Sequence, residues 1–261
     1  MRAVTVLRSR GNPRVRRWAK LARDSGLRRK ERRAIVEGPH LLAALLEQGL
    51  KPISVFATEN GLARDEIKAL VVEAGAAPVV LSESLFRAIA DAETPPGIAA
   101  EIEIPEIKTK SVTQCVFLEG VQDPSNVGAI VRTAAAFGIG EVVLDRGCAD
   151  AWSPKVLRAG MGGHFQLNLR ISADLGADIE QFKGTSVCTV PRGGVPLRAA
   201  DLGGRLGWIF GAEGQGVSRK LQERAGLRVT IPTAPGTESL NVAAAAAICF
   251  YEAFSRPAAG S

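Results

Sequence analysis

Three segments of the chain place polar side chains in loops that follow apolar, strand-like runs. The first, LEGVQDPSNVGAIVRTAAAFG, contains Asn126 and Arg132; the second, IFGAEGQGVS, contains Glu213; the third, IPTAPGTESLNVAAAAA, contains Ser239 and Asn241. Amides, a carboxylate, a hydroxyl and a guanidinium can position a substrate, move a proton or stabilise developing negative charge. The three segments are therefore candidates for one active site.

Each of these residues also has a purely structural explanation when it is taken alone. Asn126 could be a turn residue, Arg132 a solvated helix residue, Glu213 a charge in a hairpin loop and Ser239 a helix cap. The structural explanation weakens because three loops after three strands carry polar residues together. In open parallel α/β sheets, ligands bind at the carboxyl ends of strands, where such loops lie.

The glycine pattern of the second segment excludes two common nucleotide sites. Gly211, Gly214 and Gly216 have the wrong order for the GxGxxG fingerprint, and the chain contains no phosphate-binding lysine loop. Enzymes that use a nicotinamide or a nucleoside triphosphate are thus disfavoured.

Strand and helix patterns alternate in both halves of the chain, which predicts an α/β fold in two domains. In the second half, apolar runs predict strands near Cys115–Leu118, Glu141–Leu144, Phe165–Leu169, Ser186–Val190, Leu206–Phe210 and Leu227–Ile231. Because these runs are apolar on both faces, we expect a parallel sheet covered by helices on both sides. The polar, aperiodic segment Glu103–Gln114 separates the predicted domains, residues 1–105 and 112–261.

The first half is expected to form the smaller domain. Asn12 and Pro13 are typical of a helix N-cap and first turn, and the helical spacing of apolar residues continues to Gly26. Strands and helices then alternate, with strands at Ala34–Val36, Ile53–Ala57, Val79–Leu81 and Ile98–Ile102, and helices at Pro39–Gln48 and from Ser82.

Positive charge is concentrated at the start of the chain. The whole chain has 33 basic and 27 acidic residues, a net charge of +6, and the first 33 residues alone contain 13 basic and 2 acidic residues. Such a patch attracts a nucleic-acid backbone. A solvated helix face and, less strongly, an anionic membrane surface are the alternatives. We predict that nucleic acid is bound by Arg14, Arg17, Lys20, Arg23, Arg28, Arg29 and Lys30.

Length and composition predict a soluble protein that is not exported. The 261 residues are 46% hydrophobic, which can fill a sizeable core. No apolar run reaches the roughly 18 residues of a membrane span, and no signal-like apolar segment follows the basic start. The four cysteines lack CxxC spacing and His40 and His164 are isolated, so we expect reduced thiols and no metal site.

Together the three segments resemble, in order and spacing, the three motifs of the SpoU (TrmH-like) RNA 2′-O-ribose methyltransferases of the SPOUT superfamily. The match covers DPSNVGAIVRTAAAFG, GAEGQGVS and IPTAPGTESLNVAAAAA, and these span nearly the whole second half. In the first half, NPRVRRWAKLA, VEGPHLL and TPPGIAAEI resemble elements of that family's N-terminal substrate-binding domain, which is related to ribosomal RNA-binding proteins.

The resemblance implies methyl transfer from S-adenosylmethionine to a ribose 2′-hydroxyl, without a metal. It also implies a cytoplasmic homodimer with a deep trefoil knot in the catalytic domain. A complete N-terminal domain favours 23S ribosomal RNA as the substrate. A tRNA 2′-O-ribose methyltransferase and a non-catalytic RNA-binding or ribosome-assembly protein with the same fold are the alternatives, and a small-molecule α/β enzyme would leave the basic start unexplained.

The resemblance also implies which residues form the site. The expected catalytic residues are Arg132, Asn126, Glu213, Ser239 and Asn241, and the expected cofactor-binding residues are Gly211, Ile231, Leu240, Thr189, Val190 and Pro191. A guanidinium has a pKa of about 12 or more and is a poor base. Arg132 is therefore expected to hold the target phosphate and to stabilise the ribose 2′-oxygen as negative charge develops on it. The chain departs from the family pattern at Thr233 and Ala244, where methionine and serine are common, which affects packing more than the reacting groups.

Overall fold

The computed structural model describes residues 5–107, 114–236 and 239–256. The chain forms two compact units, and we call Met1–Pro105 with Trp152–Phe165 the N-terminal unit, and Glu106–Ala151 with Gln166–Ser261 the C-terminal unit. The domain limits 1–105 and 112–261 stay predictions. Arg2, half of the predicted linker (residues 108–113) and, in the third motif, Thr237 and Glu238 lie outside the described residues.

Strands and helices alternate along most of the described chain. As far as Glu103 the elements are β1 (Thr5–Leu7), α1 (Pro13–Arg23), α2 (Ser25–Glu31), β2 (Arg33–Glu37), α3 (Pro39–Glu47), β3 (Ser54–Thr58), α4 (Glu59–Ala63), α5 (Asp65–Glu73), β4 (Val79–Leu81), α6 (Glu83–Ile89) and β5 (Ile98–Glu103). From Gln114 they are β6 (Gln114–Glu119), α7 (Pro124–Ala136), β7 (Glu141–Leu144), α8 (Pro154–Gly160), β8 (Asn168–Ile171), α9 (Leu175–Gln181), β9 (Thr185–Thr189), β10 (Val195–Pro196), β11 (Leu206–Gly211), α10 (Arg219–Arg224), β12 (Leu227–Thr230) and α11 (Val242–Ser255).

The N-terminal unit is built on a mixed five-stranded sheet in the order β1-β4-β3-β5-β2. Strands β1, β4 and β3 are parallel, and β5 is antiparallel to both of its neighbours. Helix α1 begins where the sequence predicts, because the Asn12 side chain accepts a hydrogen bond from the Arg14 amide and Pro13 occupies the first turn. Its apolar face is buried, and Trp18 stacks on Phe56 of β3 with ring centroids 4.3 Å apart.

The C-terminal unit contains a seven-stranded sheet in the order β10-β12-β9-β11-β6-β7-β8, and every pair in it is parallel. The predicted α/β fold with a parallel sheet is therefore confirmed. All six residues of β11 are buried, as expected for a central strand covered on both faces. The neighbouring strands β12, β9, β11 and β6 end at one edge of the sheet, which brings the loops after them together.

Some predicted elements differ from the observed ones. The strand predicted at Phe165–Leu169 is wrong at its start, because Phe165 ends a short 3-10 helix and β8 begins only at Asn168. Phe165 and Leu167 are both buried, so their alternation imitates a strand. Helix α1 ends at Arg23 rather than Gly26, since Asp24 caps the start of α2. Strand β1, which has three residues and is mostly exposed, and strand β10, which has two, were not predicted.

Candidate active site

A cavity of about 740 Å³ opens at the carboxyl edge of the C-terminal sheet. Its walls come from residues that follow or end β9, β11 and β12, within the ranges 189–192, 210–217 and 230–245. Cavities of about 300–1,000 Å³ are usual for small ligands and cofactors. The cavity thus has both the size and the position expected of a ligand site in a parallel α/β sheet.

Side-chain hydrogen bonds join the three motif segments next to this cavity. The Nδ2 of Asn126 donates to Oε1 of Glu213 at 2.6 Å, and the Nδ2 of Asn241 donates to Oδ1 of Asn126 at 2.9 Å. Asn126 is only 8% exposed, while Glu213 and Asn241 line the cavity. One buried amide therefore fixes a carboxylate and a second amide relative to each other.

The cap of the last helix comes from Asn241 and not from Ser239. Oδ1 of Asn241 accepts hydrogen bonds from the amides of Ala243 at 2.9 Å and Ala244 at 3.2 Å. Asn241 thus uses its oxygen for the helix and its nitrogen for Asn126. Capping does not explain Ser239, which lines the cavity instead.

The loop after β11 is held in a narrow turn that requires glycine at its first position. Ala212 forms a bridge with Gly216, and a Cβ added to Gly211 would overlap the backbone of Gly216 and Val217. The far end of the loop is fixed by Glu119, whose Oε2 accepts a hydrogen bond from the Ser218 amide at 2.6 Å. The loop backbone can therefore approach a ligand closely while it carries Glu213.

The structure brings all of the residues predicted to bind the cofactor to the cavity wall, namely Gly211, Ile231, Leu240, Thr189, Val190 and Pro191. They belong to three different loops, and their side chains are apolar apart from Thr189. Such a wall offers apolar surface to a purine base and backbone groups to polar edges, which fits an adenosyl cofactor. The narrow turn at Gly211 is the clearest sign of this fit, since only a residue without a Cβ leaves the wall in place.

The structure does not bring Arg132 into the cavity wall formed by the described residues. Arg132 is exposed on α7, six residues after Asn126. Six residues advance a helix by about 9 Å and turn it so that the two side chains lie on different faces. The described part of the chain provides no hydrogen bond or ion pair for its guanidinium, which is free to contact a ligand that extends beyond the cavity.

Sequence reasoning missed Arg192, which follows the three predicted residues Thr189–Pro191 and also lines the cavity. Its position in the chain was the available signal, because it continues the same loop after β9. Arg192 is exposed.

The cysteines do not contribute reactive thiolates to this site. All four are free, and burial raises the pKa of Cys148, Cys188 and Cys249 to about 12 and raises that of Cys115 further. Within the described residues, no group of three or more histidine, cysteine or acidic side chains is arranged to hold a metal ion. Nor does the described chain contain a helix with the length and apolar character of a membrane span.

The predicted nucleic-acid residues of the N-terminal unit fall into three groups. Several make contacts within the unit: Arg14 lies over the Trp18 ring, with its guanidinium carbon 5.0 Å from the centroid, and Arg23 donates to the Ala88 carbonyl at 2.8 Å. Lys20 lies 3.8 Å from a carboxylate oxygen of Asp24. These three side chains remain exposed, so their contacts leave room for a ligand.

Two predicted residues are tied into the unit more strongly. Arg17 pairs with Glu31 and with Glu101, whose side chain is 4% exposed. Glu101 also accepts hydrogen bonds from Arg33 at 2.7 Å and from Trp18 at 2.8 Å. Arg28 corrects the prediction outright: it is only 3% exposed and donates to the Leu21 carbonyl, so it lies inside the unit rather than on a charged face.

Arg29 and Lys30 remain as predicted, exposed and without an ion pair or hydrogen bond among the described residues. Arg16, which was not among the predicted contacts, has the same properties. These three residues carry unpaired positive charge on α1 and α2.

The fold and the site together define a parallel α/β domain with a ligand-sized cavity at the carboxyl edge of its sheet, in a chain whose other unit carries a basic segment. Residues 113–251 match the model of the SpoU rRNA Methylase family, and residues 12–100 match that of the MRM3-like substrate binding domain. The chain therefore belongs to the SpoU rRNA methylase family, and the predicted family is confirmed.

Relatives of known identity match over almost the whole chain. A Bacillus subtilis protein, the 23S rRNA (guanosine(2553)-2′-O)-methyltransferase RlmP, is 34% identical over 94% of this chain and 97% of its own. The crystal structure of an AdoMet-bound rRNA methyltransferase from Sinorhizobium meliloti is 26% identical, with a TM-score of 0.81 over 96% of this chain and 97% of its own. That of an RNA 2′-O ribose methyltransferase is also 26% identical, with a TM-score of 0.79 over 95% of this chain and 98% of its own.

Proposed function

We propose that this protein transfers a methyl group from S-adenosylmethionine to a ribose 2′-hydroxyl of RNA, with 23S ribosomal RNA as the substrate. The observation that carries the proposal is the hydrogen-bonded series Asn241–Asn126–Glu213 beside the cavity, in a chain of the SpoU family. Two of the relatives named above are rRNA methyltransferases, and the structure of one of them contains AdoMet.

The protein's task in such a reaction is mainly alignment. S-adenosylmethionine, when bound, supplies an activated methyl group on a sulfonium, so no metal is needed. Thr189, Ile231 and Leu240 would hold it through backbone groups and apolar surface. Asn126, fixed by Glu213 and Asn241, and Ser239 would hold the ribose so that its 2′-oxygen faces the methyl carbon.

Arg132 would act on the charges of the RNA. Its guanidinium offers hydrogen-bond donors and no acceptor, so it is poorly suited to take the 2′-hydroxyl proton. Exposed and unpaired within the described chain, it would bind the phosphate next to the target ribose and stabilise the oxygen as negative charge develops.

The homodimer and the trefoil knot form part of the proposal. Helix α11, which packs on α7, exposes Ile248, Tyr251 and Phe254, at 40%, 60% and 62%, and this apolar face suits a second copy of the chain. The strand order, in which β11 lies between β6 and β9 and β12 lies beyond β9, is compatible with a knotted C-terminal segment.

The N-terminal domain, residues 1–105, would bind the RNA and resemble ribosomal RNA-binding proteins. The match of residues 12–100 to a substrate binding domain supports this role, and the Bacillus subtilis relative, a 23S rRNA methyltransferase, favours ribosomal RNA over tRNA. The tRNA enzyme and the non-catalytic assembly protein remain the competing assignments, and cytoplasmic location stays a prediction.

Transfer of labelled methyl groups tests the proposal. Large-subunit ribosomal RNA and total tRNA, both from a strain that lacks the protein, would be incubated separately with enzyme and labelled S-adenosylmethionine. We expect label in the 23S RNA, at a ribose that becomes resistant to alkaline cleavage. Label in tRNA alone would overturn the substrate, and no label in naked RNA or in assembled subunits would overturn the enzymatic assignment.

The Arg132→Ala variant tests the mechanism with a matched control. Arg205, which precedes β11 at the opposite edge of the sheet from the cavity, is also exposed and is changed to alanine for comparison. We expect Arg132→Ala to lose turnover by about 10²-fold or more while cofactor binding persists, and Arg205→Ala to keep both. Normal turnover in Arg132→Ala would reject the role of Arg132.

A further inference from the structure

The charged side chains of the cavity wall have opposite signs and lie on the loops that follow two neighbouring strands. Among the described lining residues, Glu213 follows β11 and Arg192 follows β9, and all the others are neutral. Strands β9 and β11 are directly paired. A ligand that enters this cavity therefore meets one negative and one positive group.

The backbone that carries Arg192 is fixed on both sides of it. We call residues 190–200 the strap. Before Arg192, the Val190 amide donates to the Val229 carbonyl at 2.9 Å; after it, the Gly194 amide donates to Oγ1 of Thr230 at 3.0 Å. Strand β10, which is part of the strap, then pairs with β12.

The far end of the strap is held by the last helix. Arg256, the C-cap residue of α11, donates to the carbonyls of Leu197, Arg198 and Ala200, and its guanidinium is also paired with Glu252 at 3.0 Å. The carbonyls of Arg198 and Ala200 lie at the end of a 3-10 helix, where such groups lack partners within the helix, and the carbonyl of Leu197 also accepts from the Ala200 amide at 3.3 Å. The strap is thus a fixed wall of the cavity, and Arg192 is a side chain on a rigid support.

Arg192 itself is not used by this support. It is exposed, and the described chain provides it with no ion pair or hydrogen bond. A fixed backbone that presents an unpaired guanidinium to a cavity is an arrangement suited to binding an anion.

We propose that Arg192 binds the carboxylate of the amino-acid part of S-adenosylmethionine, an inference that rests on the proposed function. The cofactor carries a negative carboxylate and two positive groups, an ammonium and a sulfonium. These charges match a wall that has the positive Arg192 after β9 and the negative Glu213 after β11. The predicted cofactor residues Thr189–Pro191 immediately precede Arg192, which places it in the cofactor's part of the cavity.

Binding measurements with two cofactors test the assignment. Isothermal titration would compare S-adenosylmethionine with its decarboxylated form, which lacks only the carboxylate, on the wild-type protein and on Arg192→Gln and Arg192→Lys. Arg198→Gln is the control, because Arg198 is an exposed arginine of the same strap that does not line the cavity. Thermal unfolding of each variant checks that it is folded.

We expect Arg192→Gln to weaken binding of S-adenosylmethionine about tenfold, and removal of the carboxylate to weaken binding to the wild type to a similar degree. In Arg192→Gln the two cofactors should bind equally, Arg192→Lys should recover part of the difference, and Arg198→Gln should behave as the wild type. Equal binding of both cofactors by the wild type would overturn the proposal.

A further measurement separates this proposal from an RNA contact and from failure of the proposed function. Binding of a 23S RNA fragment in the absence of cofactor should be unchanged in Arg192→Gln. A loss of RNA affinity with normal cofactor affinity would assign Arg192 to a phosphate and overturn the proposal alone. Absence of any binding of S-adenosylmethionine to the wild type would overturn the proposed function, and this inference with it.

Discussion

Two regions of the molecule arrange their polar groups in opposite ways. We call Asn126, Glu213 and Asn241 of the C-terminal unit the loop site, and the helices α1 and α2 of the N-terminal unit the basic segment. In the loop site, Asn126, Glu213 and Asn241 come from three separate segments and bond to one another beside a cavity. In the basic segment, Arg17 lies on α1, and its guanidinium is paired with Glu31 and with the buried Glu101.

The difference shows what a sequence pattern reports in each case. Polar residues after parallel strands meet because strand ends share an edge, so their proximity follows from the fold class. A run of arginines reports only the number of charges. Which of them are free depends on carboxylates far away in the chain, such as Glu101, which is 84 residues from Arg17.

The largest expected effect comes from removing the carboxylate that organises the basic segment. Glu101→Ala would leave Arg17, Arg33 and Trp18 without their shared acceptor, and the loss of hydrogen bonds to a charged group costs about 1.5–3 kcal/mol. The free energy of unfolding of the N-terminal unit should fall by this amount, measured by native-state hydrogen exchange of the α1 amides. Glu103→Ala, on the same strand but exposed, should change it little; equal protection in both variants would contradict the structural role.

The same carboxylate predicts a dependence on pH. Burial raises the pKa of Glu101, but hydrogen bonds from Arg33, Arg17 and Trp18 outweigh burial, so the pKa lies below the usual 4.5. A depressed pKa in the folded state means that the stabilisation is complete above 4.5 and is lost as the pH falls below that value. The protection factors of the α1 amides, which are corrected for the intrinsic exchange rate at each pH, should therefore decrease below that pH in the wild type, and Glu101→Gln should lack this decrease.

Much of the fold could be predicted because its signals are local. Strands β4 and β7 have the predicted bounds, Val79–Leu81 and Glu141–Leu144, and Asn12 caps α1 as predicted. Phe165 was misplaced because buried residues alternate there without forming a strand.

Most of the site residues identified from the sequence lie at or beside the candidate cavity, with Arg132 as the exception, and Arg192 was missed; the contacts among them could not be predicted. The motifs identified Asn126 and Glu213, yet they are 87 residues apart, and the hydrogen bond between them depends on the shape of a glycine-rich turn. Similarly, the burial of Arg28 depends on a carbonyl of Leu21 at the break between α1 and α2, which no charge pattern predicts.

The next largest effect is expected from breaking the loop site at its centre. Asn126→Ala removes both side-chain hydrogen bonds and leaves Glu213 and Asn241 free to move, and a displacement of about 1 Å can reduce turnover about 10²-fold. The chain offers a matched control in Asn168, which donates to Glu141 at 2.9 Å at the amino ends of β8 and β7. Single-turnover methylation should fall in Asn126→Ala and remain normal in Asn168→Ala. A similar loss in both would indicate general destabilisation instead.

The smallest expected effect separates free from paired arginines in RNA binding. Changing Arg16, Arg29 and Lys30 together to glutamine removes three unpaired charges, so the slope of log K against log salt for a 23S RNA fragment should decrease by about 2 to 3. Changing Lys183, Arg205 and Arg219 of the C-terminal unit removes the same charge and should leave the slope nearly unchanged. Arg17→Gln should lower the stability of the N-terminal unit with little effect on the slope, because its guanidinium is already neutralised. A decrease of the slope by about 1 in Arg17→Gln alone would mean that Arg17 leaves its carboxylates and contacts a phosphate when RNA binds. The distinction between paired and unpaired basic residues would then be wrong.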